Sequence, residues 1–368
     1  MKNYTIEFQR FIFAFCIIGY HFFSIVMHIV DSQFLFFNKS YIGDDFFFIV
    51  SGFFIANSVF KNGGKKNTWQ VLLSRVKSIK WPYYLAWAGT FIGLNISFNF
   101  EKILENLFHS IPELTFVSMA GFQENYEVNT LAWYISAMFL CIICTVPLIV
   151  KYGNAFMYYI APVLSLFLYG ILNLNYDGLS APHTLLLGFV YKGFIRALAG
   201  IFAGYFIYSL YKNQGVVDFF SKNSKIFNIV QFLTFFLIIL YCILPVKKSF
   251  DFSAVIIILV LLIITFCHIN NSLMEKLLRK LPFVLRLGRF SVYMYLSQSI
   301  FYGFLLKVHY FYAGGCVSLP KWQSILLWFY NDNVNNILKF VVFLLICIVC
   351  SLVVLSIEKI VNRLCSKN

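Results

Sequence analysis

Long apolar runs separated by short polar segments dominate this sequence. A membrane-spanning helix needs about 20 consecutive, mostly apolar residues, and the runs reach that length repeatedly. The pattern predicts ten helices, near residues 8–30, 41–60, 82–99, 131–150, 155–173, 190–211, 226–246, 252–270, 288–309 and 337–358. We therefore expect an all-α, polytopic transmembrane helix bundle. It should form a single domain over residues 1–368, with no separate soluble domain.

The composition agrees with lipid as the main solvent of this fold. Hydrophobic residues make up 60% of the chain and charged residues only 12%, about half the charged fraction of a soluble domain. The net charge of +14 would suggest nucleic acid in a soluble protein. Here the basic residues lie in short segments between apolar runs, which instead indicates membrane topology. We therefore predict membrane lipid as a partner and no nucleic acid.

The distribution of basic residues predicts the orientation of the bundle. With ten spans and a cytoplasmic N-terminus, 20 of the 29 Lys and Arg residues fall in cytoplasmic segments. The opposite orientation reverses that ratio, so the positive-inside rule favours two cytoplasmic termini. The segment 100–130 then lies outside, with a short amphipathic helix near 101–109. It is acidic, holding Lys102 against Glu101, Glu105, Glu113, Glu124 and Glu127.

Two cysteine pairs have the spacing of a redox or zinc motif. They are Cys141 with Cys144 and Cys347 with Cys350, and all four lie inside apolar runs. Neither pair has a nearby histidine or a second pair that would complete a metal site. We interpret these cysteines as small apolar side chains of membrane helices and expect no metal.

The first predicted helix keeps two titratable groups, Arg10 and His21. They are 11 residues apart, which is about three helical turns, so they share a face with a rise of about 16 Å between them. Arg10 is explained either by snorkelling to the inner head groups or by anchoring a cofactor. His21 is either a hydrogen-bonded packing residue or a reactive base. Their common face favours an anchor at the inner side and a base further out.

The second predicted helix opens with two adjacent carboxylates, Asp44 and Asp45. Asp44 is accounted for by the helix dipole, which favours negative charge in the first turn. Asp45 enters the span at roughly the depth of His21. A carboxylate beside a histidine fixes its tautomer and raises its basicity, so we expect Asp45 to orient His21.

A basic cluster begins the third predicted helix at its cytoplasmic side. Arg75, Lys77 and Lys80 lie within eleven residues that end in Trp-Pro-Tyr-Tyr. These side chains either anchor the helix under the positive-inside rule or hold the phosphates of an anionic carrier near Arg10. Residue types alone do not separate these two interpretations.

Four stretches together resemble the acyltransferase 3 family of membrane acyltransferases. Arg10 and His21 reproduce the family's Arg, ten residues, His pattern, and Gly43 to Ile55 resembles its Gly-x-Asp-x-Phe-Phe start followed by Ser-Gly-Phe. Residues 131–137 resemble a Trp-Tyr-hydrophobic-Ser segment of a central helix. Residues 287–296 resemble the family's Gly-x-x-Ser-Tyr-x-x-Tyr-Leu stretch of a late helix. The order of the four stretches and the ten-helix plan cover the whole chain.

Two positions depart from the family pattern. The family often has Arg-x-x-Arg before the Pro-x-Tyr of the third helix, whereas this chain has Arg75 with Lys77 and Lys80. The late helix usually continues to a histidine, and here the equivalent place includes Gln298.

The resemblance implies an O-acetyltransferase of the bacterial cytoplasmic membrane. Family members move an acyl group, usually acetyl, from cytoplasmic acetyl-CoA to a hydroxyl of a surface polysaccharide or lipid-linked carbohydrate. His21 would act as general base or acyl acceptor and Asp45 would orient it. The remaining candidates have two roles. Donor binding is expected of Arg10, Arg75, Lys77 and Lys80, and an acceptor or structural site of Ser51, Trp133 and Ser136.

A proton-coupled transporter or flippase for a glycan or glycolipid is the alternative. Intramembrane His, Asp and Arg are also what such a carrier needs. The sequence contains no inverted repeat and no paired broken helices, which disfavours this class. A purely structural scaffold leaves the pairing of Arg10 with His21 unexplained.

Overall fold

The computed structural model describes residues 3–26, 36–61, 66–95, 99–121, 128–175, 178–186, 188–246, 249–313, 328–329, 331 and 334–365. Each of the ten predicted helices has a counterpart in these ranges. The helices are α1 (Tyr4–Tyr20), α2 (Gly43–Val59), α3 (Thr68–Asn95), α4 (Phe100–His109), α5 (Ile111–Leu114), α6 (Trp133–Ala155), α7 (Ala161–Asn175), α8 (Lys192–Lys212), α9 (Gln214–Lys222), α10 (Ser224–Ile243), α11 (Asp251–Cys267), α12 (Leu273–Arg279), α13 (Val284–Ala313) and α14 (Asn336–Cys365). The predicted end of the first helix, residues 27–30, lies outside the described residues.

Six helical segments of the described chain are long and apolar enough to cross a membrane. One of them, Thr130–Leu174, contains both α6 and α7. Gly153 bends α6 near its end with a φ of 60°, a backbone conformation that glycine adopts without steric cost, and a π-helical turn, Phe156–Ile160, joins α6 to α7. The only strands among the described residues are Leu185–Leu186 and Val190–Tyr191, which form a small hairpin. The protein is therefore an all-α membrane helix bundle, as the apolar runs predicted.

Glycines bring α2 and α8 unusually close together. A Cβ atom at Gly52 would collide with the backbone of Ile201, and one at Gly204 would collide with the backbone of Ile49. Small residues allow such close approach where lipid offers no hydrophobic driving force between helices. This seam holds the middle of α2 against α8 and thereby fixes the rotation of α2, including the directions of Asp44 and Asp45 in its first turn.

The start of α1 and the end of α14 lie at the same end of the bundle. Gly288, early in α13, packs against Glu7, early in α1. A little over one turn further along α13, the Tyr293 hydroxyl donates a hydrogen bond to Glu358 near the end of α14. The even number of predicted spans requires this arrangement. Which face of the membrane that end occupies stays a prediction from the charges.

The predicted amphipathic helix near 101–109 is present as α4. It exposes an apolar stripe of Phe100, Leu104 and Phe108. Asn106 faces the other way and donates a hydrogen bond to Asn95 at the end of α3, with a distance of 2.6 Å. A short helix with one exposed apolar face suits the membrane–water interface.

Glu113 is not one of the solvated acidic side chains that the sequence suggested. It is buried, and its two carboxylate oxygens accept the backbone N–H groups of Val128 and Asn129 at 3.0 and 2.8 Å. Because these bonds satisfy backbone donors at the entry to α6, the carboxylate closes the loop instead of facing water. Glu124 and Glu127 of the same segment lie outside the described residues.

The orientation of the bundle can be tested by cysteine labelling. Lys102→Cys and Lys66→Cys both replace exposed side chains in segments assigned to opposite faces. We expect a membrane-impermeant maleimide to label Lys102→Cys in intact cells and Lys66→Cys only after permeabilisation. The background must lack the native cysteines, because Cys144 and Cys365 are exposed. Labelling of Lys66→Cys in intact cells would invert the predicted topology.

Candidate functional site

A cavity of about 430 Å³ lies between α1, α2, α3, α6 and α13. Its polar lining includes Arg10, Arg75, Arg289 and Asp44, and its walls are mainly apolar and aromatic. A pocket with apolar walls and a few convergent polar groups is the usual form of a small-molecule site. The four motif stretches of the sequence contribute to this one cavity or lie directly beside it.

Three arginines from three helices line the cavity. Arg10 is 3.4 Å from Glu7 on its own helix. Arg75 and Arg289 form no ion pair or side-chain hydrogen bond with any residue that the structure describes. We call these three residues the arginine end of the cavity. An anion entering there would find two guanidinium groups without a protein partner, and bidentate guanidinium contacts suit phosphate oxygens.

The predicted donor-binding residues divide into two groups. Arg10 of α1 and Arg75 of α3 both line the cavity, so they lie near each other as the sequence predicted. Lys77 is exposed, and the Lys80 ammonium lies 4.8 Å from the centre of the Trp81 ring. Neither lysine lines the cavity. The sequence reasoning missed Arg289, although a charge near the start of a predicted span was a usable signal.

Gln298 determines which nitrogen of His21 carries the proton. The amide Nε2 of Gln298 donates to the backbone carbonyl of Tyr295 at 2.9 Å. Because a carbonyl only accepts, the Gln298 Oε1 faces the His21 Nδ1, 3.1 Å away, and accepts its proton. The His21 Nε2 is then left with a free lone pair. A π-helical turn, His21–Val26, begins at this residue, and such turns often occur at functional sites.

His21 lies just beyond the cavity, opposite the arginine end. It is not a lining residue. Leu296 does line the cavity, and Gln298, the partner of His21, follows it by two residues, a rise of about 3 Å. On the other side, Gly43 packs against Ile17, one turn before His21. Along the helix axes, both relations place His21 at a level within about one helical turn of residues that line the cavity or adjoin it.

Asp45 does not orient His21, so that prediction is wrong. Its Oδ2 accepts hydrogen bonds from Arg196 Nε at 3.0 Å and Nη2 at 2.5 Å, and its Oδ1 accepts one from the Tyr169 hydroxyl at 2.9 Å. Asp45 and Arg196 are fully buried. The close packing of α2 against α8 fixes the rotation of α2 about its own axis. In that rotation the Asp45 side chain points away from α1. Gln298 takes the place that Asp45 was expected to fill.

Asp44 faces the cavity instead. Successive side chains of an α-helix point about 100° apart, so Asp44 and Asp45 leave α2 in different directions, although both come within reach of Arg196. Asp44 is 7% exposed. Its Oδ2 is 3.6 Å from the Nη1 of Arg196, and it forms no hydrogen bond with the described part of the chain. It also lies in the first turn of α2, where the helix dipole favours it.

The three candidates for an acceptor or structural site behave differently. Ser51 lines the cavity, and its hydroxyl is 2.9 Å from the hydroxyl of Tyr134. Ser136 lies outside the cavity and donates a hydrogen bond to the carbonyl of Phe116, which ties the segment before α6 to that helix. The Trp133 ring is buried. Only Ser51 is placed to touch a ligand.

Nothing in the described ranges resembles a metal centre. No group of three or more His, Cys, Asp or Glu side chains lies close enough to hold an ion there. Cys141 and Cys347 are buried free thiols on helices, in keeping with a packing role.

Comparison with known proteins gives one strong match. The family model described as an acyltransferase domain, Acyl_transf_3, matches residues 3–356. No curated protein and no solved structure matches the chain. The family match includes all four motif stretches and every helix that lines the cavity. The chain therefore belongs to the acyltransferase 3 family and is a membrane acyltransferase.

Proposed function

We propose that this protein transfers an acetyl group from acetyl-CoA to a hydroxyl of a cell-surface or lipid-linked carbohydrate, in the bacterial cytoplasmic membrane. The observation that carries the proposal is the arrangement of one cavity, with an arginine end for an anion and His21 about one turn beyond its opposite end. Family membership favours this enzyme over a transporter.

The arginine end suits the phosphates of acetyl-CoA. Arg10, Arg75 and Arg289 supply three guanidinium groups, against the single carboxylate of Glu7. The remaining walls include apolar side chains such as Val50, which suit an uncharged arm. A donor held by its phosphates would extend its thioester along α1. Arg10 and His21 are separated by about 16 Å of helix rise.

His21 has the protonation state that a general base requires. With Nδ1–H donated to Gln298, the Nε2 lone pair can take the proton of an acceptor hydroxyl while that oxygen attacks the thioester carbonyl. The collapsing intermediate releases the thiolate, which recovers the proton from the imidazolium. Gln298 stabilises the imidazolium because its Oε1 accepts from the other nitrogen. In a variant of this scheme, Nε2 attacks the carbonyl first and the thiolate leaves. The acceptor hydroxyl then takes the acetyl group from Nε2, which frees the imidazole, and the hydroxyl proton goes to the thiolate.

A nearly dry site protects the thioester from water. His21 is 8% exposed and lies within the bundle. Excluding water from the reacting atoms suppresses hydrolysis of the donor and strengthens hydrogen bonds to the imidazole.

Donor binding by the purified protein tests the proposal. We expect Arg75→Ala to weaken acetyl-CoA binding about 10-fold or more, because one charge-assisted phosphate contact is lost. Lys77→Ala, on the same helix but exposed and outside the cavity, should leave the dissociation constant unchanged. Isothermal titration in detergent measures both constants.

Arg10→Ala completes the donor experiment. It removes the arginine contributed by the helix that carries His21. Unchanged dissociation constants for both Arg10→Ala and Arg75→Ala would reject the donor site. A wild-type protein that does not bind acetyl-CoA would return the transporter hypothesis to the front.

A further inference from the structure

Asp44 is a buried carboxylate without a hydrogen-bond donor. It lines the cavity, is 7% exposed, and accepts no hydrogen bond from any residue that the structure describes. Its nearest cation is Arg196, at 3.6 Å. That guanidinium is already occupied by Asp45 and by the carbonyls of Tyr41 and Leu179. A carboxylate can accept about four hydrogen bonds, and burying one without donors is costly.

The charges of the cavity are segregated. At the arginine end, three guanidinium groups face one carboxylate, so the net charge is positive. At the opposite end, Asp44 and Asp45 share the single guanidinium of Arg196, so the net charge is negative. The two ends are about 10 Å apart along α1, measured from Arg10 to the level at which Gly43 packs. Phosphates therefore bind favourably at one end and are repelled at the other.

Aromatic rings line the cavity together with Asp44. Phe47 follows Asp44 by three residues, about one turn of α2, and its ring centre is 6.2 Å from that of Tyr134. Tyr134 in turn lies 6.2 Å from Tyr295. All three line the cavity. Flat apolar ring faces beside a hydrogen-bond acceptor form a surface that suits a sugar, which presents C–H groups and hydroxyl groups on one molecule.

We propose that Asp44 is the acceptor-binding residue, and that its carboxylate selects a neutral, hydroxyl-bearing sugar over an anionic one. This inference rests on the proposed function. A sugar hydroxyl donates the hydrogen bond that Asp44 lacks, and the sugar then lies within about one helical turn of His21. An acceptor with a carboxylate or phosphate at the same place meets the negative end of the cavity. Asp44 occupies the variable position of the Gly-x-Asp-x-Phe-Phe motif, so this role belongs to the present chain.

Two variants separate acceptor binding from donor binding. Asp44→Ala removes the acceptor oxygens, and Asp44→Asn is isosteric and keeps one of them while removing the charge. We expect acetyl transfer to the surface glycan to fall about 10- to 100-fold in Asp44→Ala, with a smaller loss in Asp44→Asn. The dissociation constant for acetyl-CoA should match that of the wild type in both, because Asp44 lies away from the arginine end. Glycan acetyl content in cells and titration of the purified proteins provide the two measurements.

The selectivity for a neutral sugar is tested by identifying which sugar residue carries the acetyl group. NMR of the glycan from wild-type cells should place the acetyl group on a residue without carboxylate or phosphate. An acetyl group mapped to an acidic sugar would overturn the selection. Normal transfer by folded Asp44→Ala would overturn the acceptor role, and where the alanine variant does not fold, normal transfer by Asp44→Asn would do the same. A loss of acetyl-CoA affinity as large as the loss of transfer would also overturn it. Failure of the proposed function is visible in the wild type alone, as absence of acetyl-CoA binding, and overturns this inference with it.

Discussion

His21→Ala should reduce acetyl transfer by about 10²–10⁴-fold if His21 is the general base, and by more if it is the covalent acyl acceptor. The physical reason is the loss of the Nε2 lone pair, which the hydrogen bond from Nδ1 to Gln298 leaves free to accept a proton. Donor affinity should survive, because the arginine end is about 16 Å of helix rise away. Transfer is measured as glycan acetylation and donor affinity by titration of the purified protein.

Gln298 provides a graded test of the same mechanism. Gln298→Leu deletes the acceptor of the His21 Nδ1 proton, so the imidazole loses its preferred tautomer and orientation. We expect an intermediate loss of transfer. Gln298→Glu keeps an acceptor oxygen and should retain more activity than the leucine variant. Near-normal glycan acetylation by well-expressed His21→Ala protein would contradict the mechanism, whatever activities the Gln298 variants show.

Asp45→Asn should destabilise the fold by about 3–5 kcal/mol, the cost of breaking a buried ion pair. Arg196 is 1% exposed and loses its hydrogen-bonded carboxylate in this variant, since Asp44 is 3.6 Å away and forms no hydrogen bond with it. Asp218→Asn is a suitable control, because that carboxylate is exposed and bonded only to Gln214. The control should change stability by less than about 0.5 kcal/mol. Denaturant unfolding in detergent measures the free energies.

A double replacement distinguishes the ion pair from simple packing. Asp45→Leu combined with Arg196→Met removes both charges of this pair, and all variants of the comparison carry Asp44→Asn, because Asp44 would otherwise lose its nearest cation, Arg196. The double variant should be more stable than Asp45→Leu alone, since breaking a buried pair costs more than replacing it. If the two substitutions were additive, the ion pair would not be the source of the destabilisation.

Some of the site could be identified from the sequence. Arg10 and His21 were recognisable because ionisable groups within an apolar run are rare and usually functional. Arg75 was recognisable as a basic residue at a helix start, although nothing distinguished it from Lys77, which points into solvent. Gln298 carried no such signal, because it is uncharged and lies among the serines and tyrosines of α13.

The sequence by itself determined the all-α membrane bundle and the order of its helices, because the length of an apolar run is a local property and lipid forces each run to satisfy its own backbone. Only the tertiary structure decided which face of each helix meets the cavity. The rotation of α2 against α8, set by the glycine seam, directs Asp45 to Arg196 and Asp44 to the cavity, although the two are neighbours in the chain. Glu113 was likewise expected in a polar loop because of its charge, whereas packing buries it, and its carboxylate accepts the backbone N–H groups of Val128 and Asn129. Side-chain partners depend on helix rotation and contact between distant segments, and a single sequence does not specify either.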